Sequence, residues 1–535
     1  MKAPRWASLR RRLDAFDVAV LIAFALLSVW LLALLARGER AGQVWIGTDG
    51  LYVGDQAQYL AWIRESAGQV LIANPFKIRS TAATFLHPGL VVSGIAARFG
   101  VEPSIAYLLW KPAAVVSLFV AARAYAWRIL PGKAQRRCAL ILALFYVAPA
   151  ALLADSFDLN RDLIVLQAMV LDMWPGLYLW GYPFTAIAVA ALAGALLAYE
   201  RDRKFGRIRP WAPVLGLFCA WLQPWQGATL LAILLVSEAI LWRLDSHVRL
   251  ALLATTAFAT VAPLCYYALL SRLDPSWTLA GKANAADVFP WWTLAFSLAV
   301  LAVPAAVAYV SRPDTFQAVA VRVWAPAALA IYCVIGIAHV GTFPLHALQG
   351  LSIPFAVLAV AGASTVRPSW PDAAKLAIAT TLVALLIVPA LARELNHARS
   401  LAGDSNAATL GVTGPFITAS ERDALEYLNR TDRPGGVLAR QPLGPLVPAE
   451  TGRHTWVGLL SWTPDFDRRV HLADALLGGR LVPSESRSIV RSSRARFVLS
   501  DCESRVDLTD ALRPMLESVR RFGCATVYRV RLRSS

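Results

Sequence analysis

The chain has 535 residues, of which 57% are hydrophobic and only 16% charged, and its mean hydropathy is +0.52. That balance excludes an ordinary soluble globule of this length. The net charge of +17 does not point to nucleic acid, because the basic residues lie mainly in short connections between apolar runs and in the final segment, where membrane topology explains them.

Lys2, Arg5, Arg10, Arg11 and Arg12 precede an apolar run from about Val18 to Leu35. The run is too long for a removable signal peptide and lacks its small-residue cleavage site, so it reads as a retained first span with a cytoplasmic N-terminus. A second span near Ser104 to Leu130 returns to Lys133, Arg136 and Arg137, and a third near Cys138 to Ala154 leads to an acidic loop. A fourth near Leu177 to Tyr199 ends on Arg201, Arg203, Lys204, Arg207 and Arg209, the clearest inside marker in the chain. The run from Trp211 to Trp242 is broken by Gln223-Pro224-Trp225-Gln226, where proline removes a helix hydrogen bond, and predicts two short helices with an outside elbow. Further spans are expected near Leu250 to Leu270, Trp291 to Val310, Val323 to Val340, Leu345 to Ala363 and Ala374 to Leu391.

The sum is an all-α polytopic membrane bundle of about eleven transmembrane helices over residues 1–392, with a C-terminal extracytoplasmic small α/β domain over residues 393–535. In that last part, helices are predicted from Thr418-Ala419-Ser420-Glu421 through Leu428, over Arg468 to Leu477 and near Leu508 to Arg521. Strands are predicted at Gly436 to Ala439, Phe497 to Leu499 and Thr526 to Val530. Of the six cysteines, Cys138, Cys219, Cys265 and Cys333 fall in apolar spans; Cys502 and Cys524 are either a disulfide in an oxidising compartment or two unpaired core thiols. No Walker loop, dinucleotide fingerprint, nucleophile elbow or Cys/His metal pattern occurs.

The longest connection between spans runs over residues 37–100, and long ordered loops are often functional. Asp55 is expected to begin a helix through Ser66, with Gln58 completing a capping-box-like arrangement and Tyr59, Trp62 and Ile63 forming a face on the membrane. Two readings of Asp55 stand at this point: a helix cap, or a carboxylate presented to a cleft. His87 before Pro88 is either a turn at the membrane boundary or a substrate ligand. Asp155, Asp158, Asp162 and Asp172, with Arg161 among them, are either a solvated acidic loop or oxygen ligands for a divalent metal, Asp155 and Asp158 being the candidates. Lys111 either snorkels or meets a lipid phosphate. Gln223, Trp225 and Gln226 either anchor an interface or bind and stack on a sugar, and His346 and Gln349 either join helices or line the site.

Asp55-Gln56-Ala57-Gln58-Tyr59-Leu60-Ala61-Trp62-Ile63-Arg64-Glu65, followed by Asn74-Pro75 and His87-Pro88, resembles the first outer loop of the multi-spanning GT-C glycosyltransferases. Looser matches are the Gln223-Pro224 elbow, Leu348-Gln349-Gly350-Leu351-Ser352-Ile353-Pro354, Thr451-Gly452-Arg453 and Trp462-Thr463-Pro464-Asp465. The resemblance implies a polyprenyl-phosphate-linked sugar as donor and transfer on the outer face of the membrane. The acceptor would be a glycan, lipid or protein, and Asp55 the base or the organiser of its hydroxyl. Lys111 or Arg161 would then stabilise the departing lipid phosphate. Membrane lipid is an expected partner and nucleic acid is not; the Arg-, Ala- and Leu-rich composition suggests a bacterial plasma membrane. The rival classes are a transporter or flippase of lipid-linked substrates, which would show buried midplane charges and related halves, and a silent scaffold acting through its outer domain.

Overall fold

The computed structural model describes residues 13–38, 42–50, 52–79, 81–152, 172–245, 248–340, 343–365, 372–403, 414–504 and 506–532. Lipid offers no partners for backbone N–H and C=O groups, so apolar runs close their hydrogen bonds within helices. Nine helices among the described residues are long and apolar enough to cross a membrane: Ala15–Arg37, Pro103–Ile129, Lys133–Leu152, Pro183–Phe205, Pro224–Leu244, Leu250–Leu273, Trp291–Ala308, Phe316–Ala338 and Thr380–Ser400. Two shorter apolar helices, Trp211–Leu222 and Ser352–Ala363, take the places of two more expected spans. Their apolar side chains form one large buried cluster through the bundle.

Charged pairs tie the helices at the end that carries the basic clusters. Arg123 meets Asp17 at 2.8 Å, Arg137 meets Asp14 at 2.7 Å and Arg203 meets Glu238 at 2.9 Å.

Several expected elements differ in ways that matter for the site. The elbow at Gln223 is present, but only its first arm is short; the second, Pro224–Asp245, is 22 residues long. Gly227 lets the arms close up, since a Cβ there would lie 2.4 Å from that of Ala220. The run expected as a continuous span from Leu345 begins instead as a 3₁₀ turn, Pro344–Leu348, and becomes α-helical only at Ser352. Gly350 makes the break, with a left-handed φ of 84°. The last span extends past its expected end at Leu391, within a helix over Asp372–Gly403.

In the C-terminal part, β3 (Gly436–Leu438), β4 (Ala495–Ser500), β5 (Leu516–Phe522) and β6 (Ala525–Val530) form a sheet in the order β3-β4-β6-β5, parallel only at β3-β4. The helix expected over Leu508 to Arg521 is one α-turn, Thr509–Leu512, and a 3₁₀ turn, Arg513–Met515, followed by β5, because Gly523 at φ 57° turns the chain back and pairs that segment with β6. Cys502 and Cys524 are joined in a disulfide.

This unit is built together with the first loop. Strand β1 (Gln43–Trp45) pairs antiparallel with β2 (Phe416–Thr418), and Ile46, Val53 and Ala57 of the loop are buried in one cluster with Leu425, Leu428, Val437 and Phe497. Asn74 donates to the carbonyl of Trp462 at 2.9 Å, the Thr455 N–H donates to the carbonyl of Pro75 at 3.0 Å, and Arg64 Nε donates to the carbonyl of Ala449 at 2.8 Å.

Candidate active site

The loop helix covers Val53–Ser66, so Asp55 lies inside its first turn and is not its cap. The residue in the cap position is Tyr52, which provides no side-chain capping bond, and the capping-box reading of Asp55 and Gln58 falls with it. Nor does the helix lie on the membrane: Leu60, Ala61, Trp62 and Ile63 are buried in an aromatic cluster with Phe85, Tyr107, Phe184 and Trp462. Trp62 packs edge-on against Trp462 with ring centroids 5.3 Å apart.

With capping removed, the Asp55 carboxylate has another partner. Oδ2 accepts the Tyr182 hydroxyl at 2.7 Å. Tyr59, one turn along the same face, completes an aromatic wall: its ring lies 6.4 Å from that of Tyr182 and 5.6 Å from that of Tyr107, and Tyr52 lies 6.2 Å from Tyr182. Asp55 keeps accessible surface although protein surrounds it closely enough to push its pKa up from the ordinary carboxylate value by desolvation. Both hold for a group on the wall of a recess. The Tyr182 hydrogen bond and the neighbouring His346 act in the opposite direction.

A second set of polar groups adjoins through His346, whose charge also acts on Asp172. Gln349 Nε2 donates to Asp172 Oδ1 at 2.8 Å, while its Oε1 accepts from Gln223 Nε2 at 3.0 Å. Gln226 Nε2 donates to the carbonyls of Gln349 at 3.0 Å and His346 at 3.3 Å. Tyr178 secures the turn by accepting from the Gly350 N–H at 2.8 Å. The broken helix and the elbow thus aim side chains that continuous spans would have turned into the bundle. Desolvation raises the pKa of Asp172, as it does that of Asp55.

The arrangement therefore brings together Asp55, Tyr59, Gln223, Gln226, His346 and Gln349 from the sequence candidates. Trp225 is half-buried against the bundle core, and its carbonyl accepts from Thr229 at 2.9 Å. Lys111 is committed elsewhere: its buried ammonium donates to the carbonyls of Ser28, at 2.7 Å, and Leu179, and pairs with Asp49. It is neither snorkelling nor turned toward a ligand. His87 caps the helix Pro88–Arg98, its Nδ1 accepting from the Leu90 N–H at 3.3 Å, and burial lowers its pKa to about 4. Arg161, Asp155 and Asp158 lie outside the described residues. Among the described residues no group of three His, Cys, Asp or Glu side chains could hold a metal ion. Tyr182, Tyr107 and Tyr52 were missed as site residues, since a tyrosine beside an apolar run reads as an interfacial anchor.

No family model and no curated protein sequence matches the chain. Solved structures do. An oligosaccharyltransferase of Archaeoglobus fulgidus, tethered with an acceptor peptide containing the NVT sequon, aligns with a TM-score of 0.53 at 12% identity over 96% of this chain and 73% of its own. The oligosaccharyltransferase AglB of the same organism, in complex with an inhibitory peptide and a dolichol-phosphate, aligns at 0.52 with 13% identity over 97% and 74%. ArnT from Cupriavidus metallidurans, bound to undecaprenyl phosphate, aligns at 0.50 with 15% identity over 96% and 97%. The chain has the GT-C glycosyltransferase fold.

The GT-C fold is a multi-pass membrane architecture, in keeping with the nine long apolar helices among the described residues. Fold alone does not carry chemistry. Among the described residues, the candidates to carry it are the carboxylate held by Tyr182 and the amide chain that ends on Asp172.

Proposed function

We propose that the protein is a membrane glycosyltransferase that moves a sugar from a polyprenyl-phosphate donor to an acceptor hydroxyl. The observation that carries this reading is the Asp55 carboxylate, freed from any capping role, recessed beside aromatic rings and oriented by Tyr182. A carboxylate with a raised pKa, within hydrogen-bond reach of a bound hydroxyl, is a competent general base. Asp55 takes the hydroxyl proton as the acceptor oxygen bonds to the anomeric carbon; the bond from that carbon to the phosphate oxygen breaks, and the lipid phosphate leaves with the electron pair. A single displacement inverts the anomeric centre.

His346, beside Asp55 and Asp172, is the described group best placed to offset charge on the leaving phosphate, a role that Lys111 cannot fill from its buried pair with Asp49. Tyr59 and Tyr182 offer ring faces for the sugar. The basic clusters at Lys133–Arg137 and Arg201–Arg209 support a cytoplasmic placement for that end, and hence an extracytoplasmic site and C-terminal domain in a bacterial plasma membrane.

Purified protein in lipid nanodiscs, supplied with radiolabelled polyprenyl-phosphate sugars, tests the reading. Transfer is expected for the parent and a loss of about 10²-fold to 10⁴-fold for Asp55→Asn. Transfer unaffected by that substitution removes Asp55 from the mechanism. Translocation of the lipid-linked sugar without transfer replaces the enzyme by a flippase. Repeating the assay with a chelator tests whether the acidic loop carrying Asp155 and Asp158 supplies a divalent cation.

A further inference from the structure

Away from the Asp55 recess, a cleft of about 170 Å³ opens where the first loop meets the C-terminal domain. Arg64, Glu102, Arg422, Glu426, Arg430 and Glu450 line it, three cations against three anions. Four of the six satisfy one another: Arg422 meets Glu450 at 2.9 Å and Arg430 meets Glu426 at 2.7 Å. The remaining two, Arg64 and Glu102, attract each other without forming an ion pair. Arg64 uses only Nε, on the carbonyl of Ala449, and makes no ion pair among the described residues, although the guanidinium is half-buried. Glu102 is exposed, precedes the helix Pro103–Leu108 without capping it, and also makes no ion pair among the described residues.

Burial disfavours the Arg64 charge while Glu450 and Glu102 favour it, yet neither carboxylate forms an ion pair with the guanidinium, and a bound phosphate would satisfy its remaining N–H donors. The balanced lining argues against a ligand of net negative charge, and Glu102 offers an unpaired carboxylate to a cation in the same cleft. A zwitterion with a phosphate and an ammonium group meets both demands. The helices below show what carries it. Ile105, Leu109, Val116 and Val120 are exposed at spacings of four, seven and four residues, one face of the nearly continuous span Pro103–Ile129. Phe99, also exposed, lies three residues before Glu102. This apolar stripe starts one turn from Glu102 and runs down a membrane-crossing helix, where acyl chains would lie.

We propose that the cleft binds the headgroup of an ethanolamine phospholipid, phosphate on Arg64 and ammonium on Glu102, with the acyl chains along the stripe. The site shares no residue with the Asp55 recess, so it stands whether or not the protein transfers sugars. Choline lipids keep the phosphate but present methyl groups where Glu102 needs N–H donors, and glycerol lipids bring a negative charge without the ammonium.

The test is lipid retention by the full-length protein, read by native mass spectrometry after detergent exchange into equimolar ethanolamine, choline and glycerol phospholipids of identical acyl composition. Ethanolamine lipid is expected to be retained about tenfold over the other two, a difference of about 1.4 kcal/mol. Glu102→Gln and Arg64→Gln should each erase the preference. Arg64 also braces Ala449, so the exposed Glu102→Gln, checked for unchanged thermal unfolding, is the decisive variant. Equal retention of the three lipids, preference for the glycerol lipid, or a preference that survives Glu102→Gln overturns the proposal. So does competition by soluble glycerophosphoethanolamine at concentrations matching the lipid, which would take the acyl chains out of the site.

Discussion

The Tyr182 hydroxyl donates to Oδ2 of Asp55 at 2.7 Å, linking the start of the helix Pro183–Phe205 to the first turn of the loop helix Val53–Ser66. The bond favours the ionised carboxylate and so opposes the desolvation that raises its pKa. Tyr182→Phe should raise the pKa further. A base works only when deprotonated, so the acid limb of the rate profile should move to higher pH. A hydrogen bond to a charged group is worth about 1.5–3 kcal/mol, which corresponds to a shift of about one to two pH units. Rates at high pH should recover to near the parent value; an unmoved acid limb would separate Tyr182 from the base.

Gln349 is the hinge of the second polar set, since one amide donates to Asp172 and accepts from Gln223. Gln349→Leu leaves the Asp172 carboxylate and the Gln223 amide without those partners, at a cost of about 1–3 kcal/mol. The expected outcome is a fall in transfer of about tenfold to a hundredfold with the fold retained, checked by thermal unfolding beside the transfer assay. Full activity would mean that the amide chain only braces the broken helix.

The spans were legible because hydropathy and basic loops report directly on lipid, and Asp55 stood out as a carboxylate in the longest loop. The recess was legible only in part: Pro224 announced the break at Gln223, but the 3₁₀ turn at Pro344 and the left-handed Gly350 interrupt a run that reads as one continuous span. Apolar composition is the same on either side of that second break. Lys111 and His87 misled for a different reason. A lysine near a span end and a histidine before a proline have the same sequence appearance whether they bind ligand or carry structure. Only their partners, Asp49 for one and the Leu90 N–H for the other, distinguish the roles. In the domain, Leu516–Phe522 mixes charged and apolar residues that suit either a helix or a strand, and the choice is made by pairing with β6.

Lys111 yields a prediction that separates structure from substrate binding. Lys111→Met removes the partner of a buried carboxylate and should destabilise the protein by about 3–5 kcal/mol. Adding Asp49→Leu removes the orphaned charge and should restore most of the unfolding temperature, together with transfer activity. Restored stability with activity still lost would return Lys111 to the ligands of the lipid phosphate.

The disulfide closes a loop between Cys502 and Cys524, which are 22 positions apart, and the Cys502 N–H donates to Glu421, the residue that completes the capping box with Thr418. Cross-linking a loop of this size is worth about 3 kcal/mol. Replacing both cysteines with alanine should therefore loosen the C-terminal unit, seen as faster limited proteolysis within residues 414–532. The membrane helices should stay protected, because their core cluster is separate from that of the sheet.

His87 makes stability depend on pH. Burial lowers its folded pKa to about 4 from an unfolded value of 6.5. Above 6.5 neither state binds the proton and the full stability is present. As the pH falls from there toward 4, the unfolded chain takes up a proton that the folded one refuses, and stability declines, by about 2 kcal/mol near pH 5. His87→Asn keeps a side-chain oxygen to cap Leu90 but cannot titrate. The parent should lose more of its unfolding temperature than the variant between neutral pH and pH 5, and equal losses would show that His87 is already protonated inside the fold.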